Sequence, residues 1–295
     1  MVETVKNDLI APGDDYSIYK NGIFLAGDGP RDLTIKDDGT YKIIHLIDAD
    51  TKIRIDVEAG LKVTLFEFYY FLGNDPAIKI DFHAGENSSV NYVRFKHGDL
   101  DGEIRFITNT NIGENTYINN RNLSVLSSVC SLIDNVFLQS ENAKIEMLNV
   151  TINTFGKTQY HQYDIHHRAP RTFSMMNNYG ISKRRSVLDI KSNGIIAKGA
   201  KKASLTQKTK GLILGDDAHL AANPFLEIDE HDVIASHGAS IGAINEDELY
   251  YLMSRGLTYA NAEKLIVSGF INPFFNGLRD DKSIDYMKRK INQNL

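Results

Sequence analysis

One histidine, His237, lies in a glycine-spaced segment, residues 235–243, that leads into a strongly signalled helix. A neutral imidazole is a common ligand of iron and zinc, and the flanking Gly238 would let another molecule approach it closely. A histidine at a loop–helix junction more often caps the helix or packs against it. Judged by residue type alone, His237 is therefore either a metal ligand or a residue with a structural role.

Three further histidines, His161, His166 and His167, lie close together in the sequence. Spacings of five and one would let them converge on one strand edge and hold a metal ion, although strand-packing histidines are more common. Together with His237, they define one hypothesis for the chain, which is a freestanding iron or zinc binder.

Cysteine chemistry is limited, because Cys130 is the single cysteine of the chain. No internal disulfide can form, and the chain cannot supply a multi-thiolate metal site by itself. Cys130 lies in an alternating strand pattern without basic neighbours, which predicts a buried and unreactive thiol.

Paired carboxylates suggest a second class of function, a β-helix lyase or glycosidase. Such enzymes use two carboxyl groups on one face, and the candidates here are Asp48 with Asp50, or Asp229 with Glu230. Acids in turns are ordinary, and residues 1–8 show no export signal. The carbohydrate-active enzyme is accordingly the weaker alternative.

Composition excludes further classes of function. The 295 residues include 42% hydrophobic and 24% charged residues, as in ordinary globular proteins, and the net charge is −5. An acidic balance argues against a nucleic-acid partner. The most apolar run, residues 64–72, is short and interrupted by Glu67, so it predicts a strand and no membrane contact. We expect a soluble, cytoplasmic protein.

Between residues 40 and 233 the pattern alternates apolar and polar residues with the period of a strand. Small turn residues return at residues 60, 85, 113 and 143, which are 25, 28 and 30 residues apart. One interval of 57 residues, spanning Pro170, corresponds to two repeats with a marker missing. A recurring turn at this length favours the stacked coils of a β-solenoid, and a β-sandwich is the alternative.

Helical signals appear only after residue 243. Asn245 and Thr258 are N-cap residues for helices that run to about Arg255 and Phe270, and a third helix is expected over 281–292. We therefore expect an all-β body with a small α-helical cap, joined by a loop at 236–243. The predicted divisions are an N-terminal segment with early strands (1–39), a β-helix core (40–235) and a C-terminal helical domain (236–295).

Several motifs, taken in order, resemble the SufB/SufD family, the scaffold subunits of the SUF iron–sulfur cluster assembly machinery. They include a histidine-containing segment that ends in Ala-Pro-x-Thr and a Ser-His-Gly-Ala-Ser segment followed by a helix. Each motif alone is weak, and their order and spacing make the signal specific. The resemblance covers roughly residues 160–270, with motifs at 161–172, 187–203, 211–218, 224–233 and 235–256.

The resemblance implies a right-handed parallel β-helix followed by a C-terminal helical domain. It also implies a scaffold subunit without enzyme activity, which pairs with a SufB/SufD-like subunit or a second copy of itself. The C-terminal helices would dock SufC, an ABC-type ATPase, and the candidate docking residues are Tyr250, Tyr251, Leu252, Arg255 and Phe270.

His237 matches the histidine of the SufD-type motif near the SufB–SufD contact, which makes it the candidate residue of a cluster-assembly interface. Ala235 stands where many SufD proteins have a cysteine, and Lys208 stands where SufB has one. The chain is thus closer to SufD than to SufB. We expect no cofactor held stably by the chain alone, and a transient iron–sulfur cluster at a subunit interface.

Overall fold

The computed structural model of the chain describes residues 2–73, 75–98 and 100–295. The helices are α1 (Val2–Leu9), α2 (Glu246–Ser254), α3 (Tyr259–Ile271) and α4 (Asp281–Asn294), with a short 3-10 turn at Asn272–Phe274. The strands are β1 (Asp15–Lys20), β2 (Ile23–Gly27), β3 (Thr34–Ile35), β4 (Gly39–Ile47), β5 (Thr51–Val57), β6 (Lys62–Phe71), β7 (Ala77–Ala84), β8 (Ser89–Gly98), β9 (Glu103–Ile112), β10 (Tyr117–Leu126), β11 (Val129–Leu138), β12 (Lys144–Asn153), β13 (Thr158–His167), β14 (Phe173–Lys183), β15 (Val187–Ile196), β16 (Ser204–Leu214), β17 (His219–Ile228) and β18 (Ile234–Ala243).

From β3 onward the described strands alternate between two sheets. The even sheet contains the even-numbered strands and β1, in the order β18-β16-β14-β12-β10-β8-β6-β4-β1-β2. The odd sheet contains the other odd-numbered strands, in the order β17-β15-β13-β11-β9-β7-β5-β3. Apart from the antiparallel pair β1–β2 at one end, neighbouring strands in each sheet are parallel. From β3 onward these neighbours are one coil apart, so Tyr117 of β10 lies beside Ser89 of β8 and Lys144 of β12. Parallel pairing at a coil-length offset defines a β-solenoid. The predicted parallel β-helix body is confirmed, and the β-sandwich alternative is wrong.

Strand periodicity decides which side chains enter the space between the two sheets. In β11 the buried residues alternate with half-buried ones, so that Cys130, Leu132 and Asp134 point inward while Ile133 points outward. The inward residues of both sheets pack into one apolar cluster that runs along most of the solenoid. We call this enclosed space the bore.

At one corner, the six coils from β5/β6 to β15/β16 each have a turn whose central residue has a positive φ. Asn and Gly adopt this conformation readily, and each such residue donates its N–H to a carbonyl of the next coil. The Asn142 amide donates to Asn115 Oδ1 at 2.9 Å, and Arg171 Nε donates to Asn142 Oδ1 at 3.3 Å. Arg171 occupies the corner where the small-residue marker is missing, so the repeat continues through that coil. The corner residues are Gly60, Asn87, Asn115, Asn142, Arg171 and Lys202.

Helices α1, α3 and α4 cover the outward face of the even sheet and share one apolar cluster with it. Tyr286 of α4 packs edge-to-face on Phe68 and Phe95, with ring centroids 6.3 and 5.9 Å apart. The buried Lys42 ammonium lies 2.7 Å from carboxylate oxygens of both Asp14 and Asp280. Helices α3 and α4 are therefore packed onto the solenoid. None of the described helices has the length and apolar character needed to span a bilayer.

The predicted helix starts are confirmed, since the side chains of Asn245 and Thr258 accept backbone N–H groups at the first turns of α2 and α3. The predicted loop at 236–243 is wrong. These residues belong to β18, which pairs residue for residue with β16. Their glycine and serine content is typical of loops, but backbone pairing with the neighbouring strand β16 outweighs that local preference. The solenoid thus extends beyond the predicted boundary at residue 235.

Candidate functional site

The last coil, formed by β17 and β18, is uncovered at its C-terminal side. Each strand pairs with the preceding coil along one edge and has no described strand along the other. Ile234 and Ile241 are 72% and 41% exposed. The residues at the register of Ile241 in the two preceding coils, Gly211 and Gly180, are buried. End coils of solenoids usually carry a polar cap, because an apolar unpaired edge invites pairing with another chain. This open coil is a candidate docking surface of the solenoid.

His237 lies in β18 at the rim of the bore. Its register partner Gln207 points into the bore and is buried, so His237 shares that inward direction but stays exposed because no further coil covers it. The imidazole makes no hydrogen bond to any other described residue, and the space beside Gly238 is open. Since Asn245 caps α2, His237 has no capping role. The structure presents this imidazole to solvent at the edge of the open coil.

His161, His166 and His167 do not converge on a metal site, and the more common alternative, strand-packing histidines, describes them. All three lie on β13, where side chains alternate between faces, so His161 and His167 point into the bore while His166 points outward. The His166 ring stacks on Phe137, with centroids 4.9 Å apart. His161 and His167 are six residues apart, or roughly 20 Å along an extended strand. Within residues 2–73, 75–98 and 100–295, no cluster of three or more metal-ligating side chains occurs.

His167 has a structural role instead. Its Nδ1 lies 2.7 Å from Thr172 Oγ1, and its Nε2 lies 2.7 Å from Ser174 Oγ. These bonds join β13 to the Ala-Pro-x-Thr corner and to β14. Burial lowers the pKa of His167 to about 4 and that of His161 to about 3, so both rings are neutral at physiological pH.

Cys130 is 1% exposed, and burial raises the pKa of its thiol to about 12. The predicted burial of this thiol is confirmed, and the raised pKa agrees with low reactivity. Three strand spacings separate β11 from β17 along the solenoid axis, which amounts to about 14 Å. Cys130 and His237 therefore do not form one ligand set within this chain.

A buried polar network crosses the bore, and sequence reasoning missed it. Arg94 donates from Nη2 to Asp134 Oδ2 at 3.0 Å, and both side chains are almost fully buried. Amides then form a ladder in which Asn122 donates to Asn149 at 2.7 Å and Asn149 donates to Asn178 at 2.8 Å. The sequence contains a signal for this ladder, because these asparagines recur at coil-length spacing inside alternating strands.

Lys96 is the most unusual member of this interior. Its ammonium is buried, has no hydrogen-bond partner among the described residues, and lies 4.8 Å from the centroid of the Phe106 ring. Burial, together with the nearby positive charge of Arg94, lowers the pKa of Lys96 to about 8. The cation–π contact with Phe106 and the nearby carboxylates of Asp134 and Glu67 favour the charged amine.

The predicted docking residues lie on α2 and α3, beside the open coil. Tyr250 and Tyr251 are 76% and 55% exposed, and α2 has no buried residue. The Arg255 guanidinium lies 5.2 Å from the Tyr251 ring, and Leu252 is half-buried. A cavity of about 470 Å³ separates α2 and α3 from the ends of β16 and β18. Phe270 differs from the others, because it packs edge-to-face on Tyr179 and helps hold α3 to the sheet.

Three of the four carboxylates considered for a carbohydrate-active enzyme accept hydrogen bonds in turns. Asp48 accepts from the Asn21 amide and pairs with Lys20, and Asp50 accepts from Ala77 N. Glu230 accepts the N–H groups of Gly199 and His231. These bonds favour a structural role for the acids.

A parallel β-solenoid with an open apolar end coil and a helical cover defines the class of protein. A family model described as "SUF system FeS cluster assembly, SufBD core domain" matches residues 49–270. Because this match covers most of the sequence, the chain belongs to the SufBD family.

Curated relatives agree with this assignment. The iron–sulfur cluster assembly protein SufD of Bacillus subtilis is 30% identical over 208 residues, covering 66% of this chain and 45% of the relative. A SufBD family protein of Staphylococcus epidermidis is 28% identical over 151 residues, covering 51% and 32%. One from Staphylococcus saprophyticus is 26% identical over 233 residues, covering 68% and 50%. The chain thus spans half or less of the length of these relatives.

We predict a pH-dependent stability contribution from His167. The unfolded chain takes up a proton on this ring near pH 6.5, whereas the folded chain does so only near pH 4. The free energy of unfolding should therefore fall as the pH decreases from 6.5 to 4.5, by up to about 1.4 kcal/mol per pH unit from this ring. Denaturant titrations across that range should show a smaller slope for His167→Gln. His166→Gln is the control, with a smaller change, and equal slopes for His167→Gln and the unchanged chain would contradict the prediction.

Proposed function

We propose that this chain is a non-enzymatic scaffold subunit of an iron–sulfur cluster assembly complex. It pairs through the open coil with a SufB/SufD-like subunit or with a second copy of itself, and it docks a SufC-like ABC-type ATPase through α2 and α3. The observation that carries the proposal is the position of His237, which stands exposed on an unpaired edge beside an exposed helical surface.

Pairing follows from the backbone of the last coil. The free edges of β17 and β18 offer N–H and C=O groups to the strands of another solenoid, which would extend both sheets across the seam. Burial of Ile234 and Ile241 would add an apolar contribution to that contact. His237 would then lie inside the seam, where it contacts the partner.

The iron–sulfur cluster is the cargo of such a seam. Clusters are held mainly by thiolates, and Cys130 is buried far from the open coil. The partner therefore supplies the thiolates, and His237 contributes one imidazole ligand or positions an incoming component. A freestanding histidine-based metal site is less favoured, because the β13 histidines face opposite directions.

ATPase docking follows from the exposed apolar surface of α2 and α3. Tyr250, Tyr251 and Leu265 are large and exposed, and Tyr250 also lines the cavity beneath α2. An amphipathic helix pair of this kind is a common partner surface. Because α2 follows β18 after two residues, movement of a docked ATPase would be transmitted directly to the open coil.

The docking proposal predicts that Tyr250→Asp weakens co-purification with the cognate ABC-type ATPase. A charge in the middle of an apolar contact should reduce the affinity by at least about tenfold, since such residues often dominate binding energy. Ile23→Asp is the matched control, because Ile23 is 70% exposed on β2 at the opposite end of the even sheet. Equal retention of the ATPase by both variants would rule out docking at α2.

The pairing proposal predicts that Ile241→Asp converts a dimeric species, homomeric or heteromeric, to monomers in sedimentation experiments. His237→Ala should leave assembly intact and reduce cluster delivery to a recipient apoprotein, because the imidazole acts on the cargo while the sheet edges hold the seam. Unchanged cluster delivery by His237→Ala would remove His237 from the proposal. An unchanged dimer in Ile241→Asp would place the pairing surface elsewhere.

A further inference from the structure

A second cavity lies far from the open coil, between the outward face of the even sheet and the segment that joins α3 to α4. Its volume is about 500 Å³, which is within the range of sites for small organic ligands. β4, β6, β8 and β10 form its floor, and residues 277–279 form its opposite wall. The proposed function does not use this cavity.

Two arginines give the cavity its charge. Arg121 is half-buried and donates from Nη1 to the backbone oxygens of Phe274 and Asn276, at 2.6 and 2.7 Å. Its Nε and Nη2 make no hydrogen bond to any residue that the structure describes. Arg279 lies on the opposite wall, is exposed, and has no ion pair or hydrogen bond within the described part of the chain. Both guanidinium groups therefore have free donors at the cavity.

The acidic groups nearby do not neutralise these arginines. Asp280, next to Arg279 in sequence, is bonded to Lys42 and to the backbone N–H of Ser283. Glu146, on the strand beyond the cavity, acts on Arg121 only at a distance, and burial lowers the pKa of Arg121 despite it. The cavity is thus positively charged, and no carboxylate is among the described residues that line it.

The remaining lining combines a polar row with an apolar floor. Thr64, Asn91 and Asn119 lie at the same register on adjacent strands and form a chain of long hydrogen bonds, each 3.4 Å. Three residues on successive strands span roughly 10 Å. Phe66 and Val93 form the apolar floor beside that row. A ligand that fits would have an anionic head and an extended body with both polar and apolar atoms.

We propose that this cavity binds a small organic anion of nucleotide size, whose phosphate or carboxylate group is held between Arg121 and Arg279. The guanidinium fork suits both oxyanions, because it can donate two parallel hydrogen bonds to either. The amide and hydroxyl groups of the polar row bind the body of the ligand, and the apolar floor covers its non-polar face.

Calorimetric titration of the full chain tests this site, with adenosine monophosphate and citrate as phosphate and carboxylate probes. Neutral adenosine serves as the uncharged control. We expect binding of one anionic probe or both, and at least tenfold weaker binding of adenosine. The probe that binds more tightly identifies the head group.

Two variants locate the binding. Arg279→Gln changes an exposed residue without a partner, so it should fold normally and weaken the anion by about tenfold. Asn119→Leu should weaken it by blocking the polar row. Arg105→Gln, which removes an exposed arginine from the odd sheet, is the matched control and should bind normally. The proposal is overturned if neither anionic probe binds at millimolar concentration, or if Arg279→Gln and Asn119→Leu bind as Arg105→Gln does.

Discussion

Parallel pairing between successive coils is the interaction on which the rest of the structure depends. The apolar face of each coil becomes buried only when a neighbouring coil continues both sheets. Each coil therefore needs a neighbour. This requirement is met for the inner coils and is unmet at β17 and β18. The apolar, unpaired end of the chain is therefore a direct consequence of the fold, and it places His237 at an edge that another chain can complete.

The same stacking explains how the bore accommodates charge. The Arg94–Asp134 pair is almost fully buried, and removal of one partner of such a pair leaves an uncompensated charge in a medium of low polarity. The asparagine ladder continues from this pair toward the last coils, so that each amide is bonded to the next. These hydrogen bonds join successive coils inside the bore, in addition to the packing of apolar residues.

Sequence patterns predicted the parts of the structure that depend on short-range chemistry. The N-caps Asn245 and Thr258 are where the sequence places them, because capping needs only a side chain and the first turn. Longer-range effects were missed. The composition of residues 236–243 indicates a loop, yet β16 provides a ladder that turns them into β18. The spacing of His161, His166 and His167 suggested a cluster, but alternation along β13 separates them.

The central claim is that β17 and β18 form the edge at which another subunit binds. Hydrogen–deuterium exchange of the isolated chain and of its assembled complex tests this claim most directly. The account predicts rapid exchange of many amides in residues 219–228 and 234–243 of the isolated chain, with strong protection on assembly and little change in β15 and β16. Protection that appears on β2 or on the outward face of the odd sheet, with β17 and β18 unchanged, would contradict it.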